Sequence, residues 1–238
     1  MMAPHESVVP GQWPAWGWED VALLMGAVLP SLLLGTGLMR MLRWMAPGLF
    51  GVAAVATLTY QLFVYAFLIG ALFLLISWKY GQPFWKALGF ATGFRGAIAS
   101  VLAGPALAVS VSFLGVLLRA PDVRDPIREM ITGRTMLAVV IVFGVLIAPF
   151  MEELLFRGFL LPVIARSVGP WLAIVLTAVL FALPHGVQNE WAWQQLMLIA
   201  LAGVAFGFAR VRTGATSASF LMHASFNATQ FLGFLLTR

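Results

Sequence analysis

Three pairs of residues, each four positions apart, interrupt apolar runs in the C-terminal half of the chain. They are Glu153 and Arg157 in "PFMEELLFRGF" (149–159), Phe181 and His185 in "LFALPHG" (180–186), and His223 and Asn227 in "LMHASFNATQF" (221–231). On a helix this spacing puts both members of a pair on one face. Glu153 and Arg157 can therefore form an ion pair, with the acid N-terminal to the base as the helix prefers. Glu152 is rotated by about 100 degrees from its neighbour and lacks so direct a partner. A free carboxylate at bilayer depth has no cheap structural use, so Glu152 is the residue that most needs a chemical role. A carboxylate can act as general base on water while an imidazole shares the proton. A His and an Asn aimed at one point can stabilise the oxyanion of a tetrahedral intermediate. Together these groups amount to peptide hydrolysis without a covalent intermediate.

Each pair also has a structural use that stands beside the chemical one. Glu153 with Arg157 can simply fix helix packing, and Phe181 can be a core aromatic. A single His or Asn in a membrane span is commonly an interhelical hydrogen bond. The three pairs favour a site because they occur together and beside Glu152.

The elements that must position these residues are membrane helices. Of 238 residues, 61% are hydrophobic and 10% charged, and the mean hydropathy is +0.96, whereas soluble domains carry roughly 25% charged residues. Lipid leaves backbone polar groups unsatisfied, so the expected fold is an all-α, polytopic transmembrane helical bundle. The apolar segments, about seven spans, cover 21–39, 50–77, 97–118, 135–161, 170–184, 194–210 and 217–235. Pro149 and Pro184 each remove a backbone N–H and should disturb the helices beside the acids and His185. The sequence divides into N-terminal membrane segments and loops at 1–134 and a site-bearing core at 135–235, and no internal repeat stands out. The stretch "WKYGQPFWKALGFATGFRG" (78–96) suits a short interfacial helix, and the charged stretch 119–134 a solvated loop. The first twenty residues lack Lys and Arg, which does not fit a cleavable signal peptide. Trp13, Trp16 and Trp18 are expected to form an interfacial aromatic belt.

With no cysteine, thiolate chemistry, disulfides and iron-sulfur clusters are excluded. The net charge of +5 lies mostly in connecting segments, which suits contact with anionic lipid headgroups and implies no nucleic-acid partner. Those Lys and Arg residues divide almost evenly between the two sides of the bundle, so they set no positive-inside orientation.

In order and spacing, Glu152-Glu153-x-x-x-Arg157, Phe181-x-x-x-His185 and His223-x-x-x-Asn227 resemble the EExxxR, FxxxH and HxxxN motifs of the CPBP (CAAX-processing and bacteriocin-processing, also ABI) intramembrane glutamic endopeptidases. All three occur without departure, within about residues 135–235. The resemblance implies an endopeptidase in which Glu152 and His185 activate water and His223 and Asn227 form the oxyanion hole. Glu153 and Arg157 would organise the motif, with Phe181 packed beside it. It further implies no metal or other cofactor and a membrane-associated peptide or protein substrate, prenylated in the CAAX-processing members. The expected location is a cell membrane, multi-pass, and the composition suggests a bacterial plasma membrane.

Three other readings use the same residues. A zinc protease could take Glu152, His185 and His223 as ligands, although no HExxH is present. A transporter could use the buried groups as a proton relay, although it would be expected to show an inverted repeat. An inactive immunity protein would keep its effect without Glu152. Serine and aspartyl chemistry fit poorly: Ser219 shares a face with His223 but has no nucleophile turn, and Asp20, Asp122 and Asp125 fall in tails or loops.

Overall fold

The computed structural model describes residues 14–236 apart from 92, 122–130 and 132. Among them there is helix and no strand. Helices α1 (Trp18–Gly26) and α2 (Val28–Met45) run on from one another, and α3 (Ala53–Leu74) continues into a π-helical turn at Leu75–Lys79. After α4 (Phe94–Leu117) comes a long helical run composed of α5 (Arg134–Val142), a π stretch at Phe143–Ile147, α6 (Ala148–Glu153), a second π stretch at Leu154–Leu160, and α7 (Leu161–Val168). Helix α8 (Pro170–Ala182) tightens into a 3-10 turn at Leu183–His185, followed by α9 (Trp193–Thr213) and α10 (Thr216–Leu236). The tightest packing joins α10 to α4 and α8 to α9, with α7 against α8 and α2 against α3.

Among the described residues, five helices are long and apolar enough to cross a membrane: Trp18–Met45, Ala53–Lys79, Gly96–Leu117, Arg134–Val168 and Trp193–Thr213. The all-α bundle is thus the observed architecture, with two of the seven expected segments differing in kind. Pro170–His185 is shorter than a span. Helix α10 has the length, but Thr216, Ser217, Ser219, His223, Ser225, Asn227, Thr229 and Gln230 leave it too polar to stand among these five.

The two prolines of the long run explain its π stretches. Ala148 N–H reaches back five residues to Phe143 O, and the next residue, Pro149, has no N–H to offer. Gly144 O is left over, and Asn227 Nδ2 on α10 donates to it at 2.7 Å. The same device recurs thirteen residues on. Leu161 N–H reaches back to Phe156 O, Pro162 again lacks a donor, and Arg210 Nε on α9 donates to Arg157 O at 3.3 Å. Single π turns of this kind gather at functional sites. Here each is clipped by a side chain from a neighbouring helix, which sets the rotation of the segment carrying both acids.

Several residues expected at the boundary lie inside. Trp16 is fully buried, stacks on Phe159 with centroids 5.7 Å apart, and donates its indole N–H to Phe159 O at 3.0 Å. It is a core residue rather than part of an interfacial belt, because this buried carbonyl satisfies its polar tip. Trp18 remains exposed, and Trp13 lies outside the described residues, as does most of the charged stretch, with Asp122 and Asp125. Asp20 is not in a solvated tail. It is buried in the first turn of α1, accepting from Gly17 N, Lys79 Nζ and Tyr80 Oη. Arg210, at the boundary where the apolar segment 194–210 ends, is buried near the end of α9, where it donates to the freed Arg157 carbonyl.

The expected interfacial helix at 78–96 reduces to one turn, Phe84–Ala87, with Trp78 and Trp85 exposed and Phe84, Ala87 and Leu88 buried. The turns after it are tied to the start of α10: Thr216 Oγ1 donates to Leu88 O at 2.5 Å and Thr216 N to Gly89 O at 2.7 Å.

Candidate active site

Glu153 and Arg157 have no solvent exposure, and Arg157 Nη1 donates to Glu153 Oε1 at 2.8 Å. The second arm of the guanidinium, Nη2, donates to Gly203 O on α9 at 2.9 Å. Glycine suits that approach, since a Cβ at residue 203 would lie 3.1 Å from the Ala178 Cβ and 3.2 Å from Arg157 Nη2 and press on both. Phe181 and Phe206 face the guanidinium at 4.5 and 5.4 Å from its carbon. A cation desolvated between aromatic faces gains from their quadrupoles, by about 2 kcal/mol in favourable cases. The pair expected from spacing is therefore present and buried, and Phe181 packs against it.

Glu153 does more than pair. Its Oε1 also accepts from His223 Nδ1 at 2.9 Å, and its Oε2 lies 2.5 Å from Ser219 Oγ. Ser219 sits one turn before His223 on α10, and its single proton serves either that carboxylate or Phe206 O at 2.9 Å. Because an ionised carboxylate only accepts, His223 carries a proton on Nδ1. The imidazole lies flat on Phe206, with centroids 4.3 Å and planes 19° apart. Its Nε2 is left facing Glu152 Oε2 at 3.9 Å, too far for a direct hydrogen bond. A water at about 2.8 Å from both atoms would fit that gap, with an angle of roughly 90 degrees at its oxygen.

Glu152 differs from Glu153 as its rotation on the helix requires. Its side chain retains 15% exposure and makes no pair with Arg157. Its Oε1 accepts from Tyr65 Oη at 2.8 Å, and Gln61 Nε2 donates to the same phenol oxygen at 3.1 Å. Sequence reasoning missed these two α3 residues, though their i, i+4 spacing in an apolar helix is the signal that found the other pairs. Ser219, Gly203 and Phe206 were missed as partners of the buried pair.

His185 and Asn227 occupy less direct positions. His185 Nδ1 donates to Phe181 O at 3.0 Å, since a carbonyl can only accept, which leaves Nε2 as the free ring nitrogen. Its ring meets Phe181, whose other edge meets His223 with centroids 5.7 Å apart. His185 makes no hydrogen bond to Glu152 or His223 here. Asn227 gives one amide N–H to Gly144 O and keeps a second. Among the described residues no three His, Cys, Asp or Glu side chains gather as metal ligands would, so Glu152, His185 and His223 do not form the triad a zinc site needs.

Residues 134–229 match the family described as type II CAAX prenyl endopeptidase Rce1-like. This segment is an Rce1-like domain of the CPBP family. The Rce1-like segment begins at α5 and runs into α10, so it contains all three motifs, while Tyr65 and Gln61 reach the site from outside it. The family is one of membrane-embedded proteases, and the chain is accordingly a multi-pass membrane peptidase acting on a peptide or protein. No curated protein and no solved structure matches the chain.

Proposed function

We propose that this protein is a glutamate-dependent intramembrane endopeptidase that cleaves near the C-terminus of a membrane-anchored, prenylated CAAX-type peptide. The observation that carries the reading is the division of labour between adjacent acids. Glu153 is consumed by Arg157, His223 and Ser219, whereas Glu152 makes no hydrogen bond to any of them and keeps Oε2 3.9 Å from His223 Nε2, a separation that one bridging water would span.

Glu152 takes a proton from that water as its oxygen bonds to the scissile carbonyl carbon, and the carbonyl π pair moves onto oxygen. The oxyanion receives hydrogen bonds from His223, through Nε2 when the ring is protonated, and from the second N–H of Asn227. Glu153 supports the imidazolium through Nδ1. Collapse of the intermediate breaks the C–N bond, and the leaving nitrogen takes the proton held by Glu152, which restores the carboxylate. His185 offers its Nε2 to the attacking water once substrate fills the site, as apo geometries tighten in the complex. A prenylated substrate is supported by the description of the matching family, a CAAX prenyl endopeptidase. A bacterial plasma membrane is the location we assign on composition, and nothing in the site calls for nucleic acid.

The test uses purified protein in proteoliposomes and a quenched-fluorescent farnesylated peptide ending in a CAAX sequence. Cleavage should occur, disappear in Glu152→Ala, and survive exhaustive zinc chelation. Equal cleavage by Glu152→Ala, or loss on chelation with rescue by added zinc, would overturn the assignment.

A further inference from the structure

We infer that Tyr65, held by Gln61, is a positioning residue that decides which oxygen of Glu152 takes the proton from water. The inference rests on Glu152 being the general base. It also makes α3, outside the Rce1-like segment, part of the working site.

The geometry is directional at each step. Gln61 Nε2 donates to Tyr65 Oη at 3.1 Å, so the phenol oxygen already accepts on one side. Its only proton then goes to Glu152 Oε1, 2.8 Å away. The ring is fixed by stacking on Phe143, with centroids 6.4 Å and planes 18° apart. Phe143 opens the π stretch whose Gly144 carbonyl Asn227 holds, so the phenol and the Asn227 amide are set by one piece of backbone.

With Oε1 occupied, the carboxylate presents Oε2 to the gap in front of His223 Nε2. When Oε2 takes the proton, Oε1 becomes the carbonyl oxygen of the acid and still accepts from Tyr65. The contact therefore persists through both protonation states and keeps the proton on Oε2, the oxygen that faces His223 Nε2. Without the phenol, the carboxyl can rotate and place the proton on the wrong oxygen.

Tyr65→Phe keeps the stack on Phe143 and removes one oxygen, so folding should be preserved, which an unchanged thermal midpoint checks. In the proteoliposome assay kcat should fall about ten- to hundredfold, the range for residues that orient a catalytic ligand, with KM within about twofold. Gln61→Leu should give a smaller loss of the same kind. In the Glu152→Gln background Tyr65→Phe should add nothing, since the two act as a unit. An activity-independent readout is the infrared carboxylate band of Glu152, assigned by its loss in Glu152→Gln, which should shift in Tyr65→Phe. Full kcat in Tyr65→Phe while Glu152→Gln is inactive, or an unshifted band, overturns the inference and leaves the glutamate reading standing. Wild-type cleavage by Glu152→Gln removes the glutamate reading itself.

Discussion

Replacing Arg157 by Met should cost more stability than any other single change at the site, and a second substitution should restore part of it. Arg157 is fully buried and supplies the Glu153 bond at 2.8 Å and the Gly203 carbonyl bond at 2.9 Å. Met keeps an apolar stem of similar reach between Phe181 and Phe206 but strands Glu153 without its permanent counter-charge. Removing one partner of a buried ion pair typically costs about 3–5 kcal/mol, chiefly because the survivor stays charged and desolvated. Gly203 lies inside α9, so its carbonyl keeps its helical partner and the loss of the second donor adds little. Glu153→Gln on top of Arg157→Met removes the stranded charge, so the double variant should be more stable than Arg157→Met alone by at least about 1–2 kcal/mol. Unfolding in mixed micelles titrated with SDS, followed by helical circular dichroism, supplies the four corners of the cycle. An Arg157→Met protein within about 1 kcal/mol of wild type, or a double variant at the sum of the singles, would refute the account of this pair.

Two further outcomes test the supporting frame. Trp16→Ala should destabilise by about 3–5 kcal/mol, as for other large buried aromatics, and expose residues 14–26 to proteolysis. Trp16→Phe should cost less, since it keeps the stack on Phe159 and loses one hydrogen bond, worth about 0.5–1.5 kcal/mol. Gly104→Ala places a Cβ 2.0 Å from Ser225 Oγ, 2.6 Å from Met222 O and 2.7 Å from Phe226 N. Backbone atoms cannot step aside, so α4 and α10 must separate, with a loss of about 1–3 kcal/mol in the same micelle titration and a fall in cleavage because α10 carries His223 and Asn227.

The acids were legible because charge in an apolar run is conspicuous and helical spacing sorts it. Glu153 and Arg157 pair as spacing requires, and Glu152 stands apart from that pair. Spacing was less informative about orientation between helices. His223 and Asn227 share a face of α10, yet one reaches Glu153 and the other a backbone carbonyl that exists only because a π turn meets Pro149. Pro149 announced a disturbance but not its form. Tyr65 escaped notice because a tyrosine in a span reads as an interface residue until its neighbour across the bundle is known. Trp16, Asp20 and Arg210 were placed at the boundary by their positions at segment ends. Each is buried because a distant partner, Phe159, Lys79 or the Arg157 carbonyl, meets its polar atoms.

Turnover of the farnesylated peptide by Glu152→Gln in proteoliposomes, with Glu153→Gln alongside, decides whether the two adjacent glutamates do different work. Glu152→Gln should lose about 10²–10⁴-fold in kcat, as expected for removing a general base, with stability unchanged. In Glu153→Gln stability itself should fall. Wild-type turnover by Glu152→Gln would mean that Glu152 is not the general base.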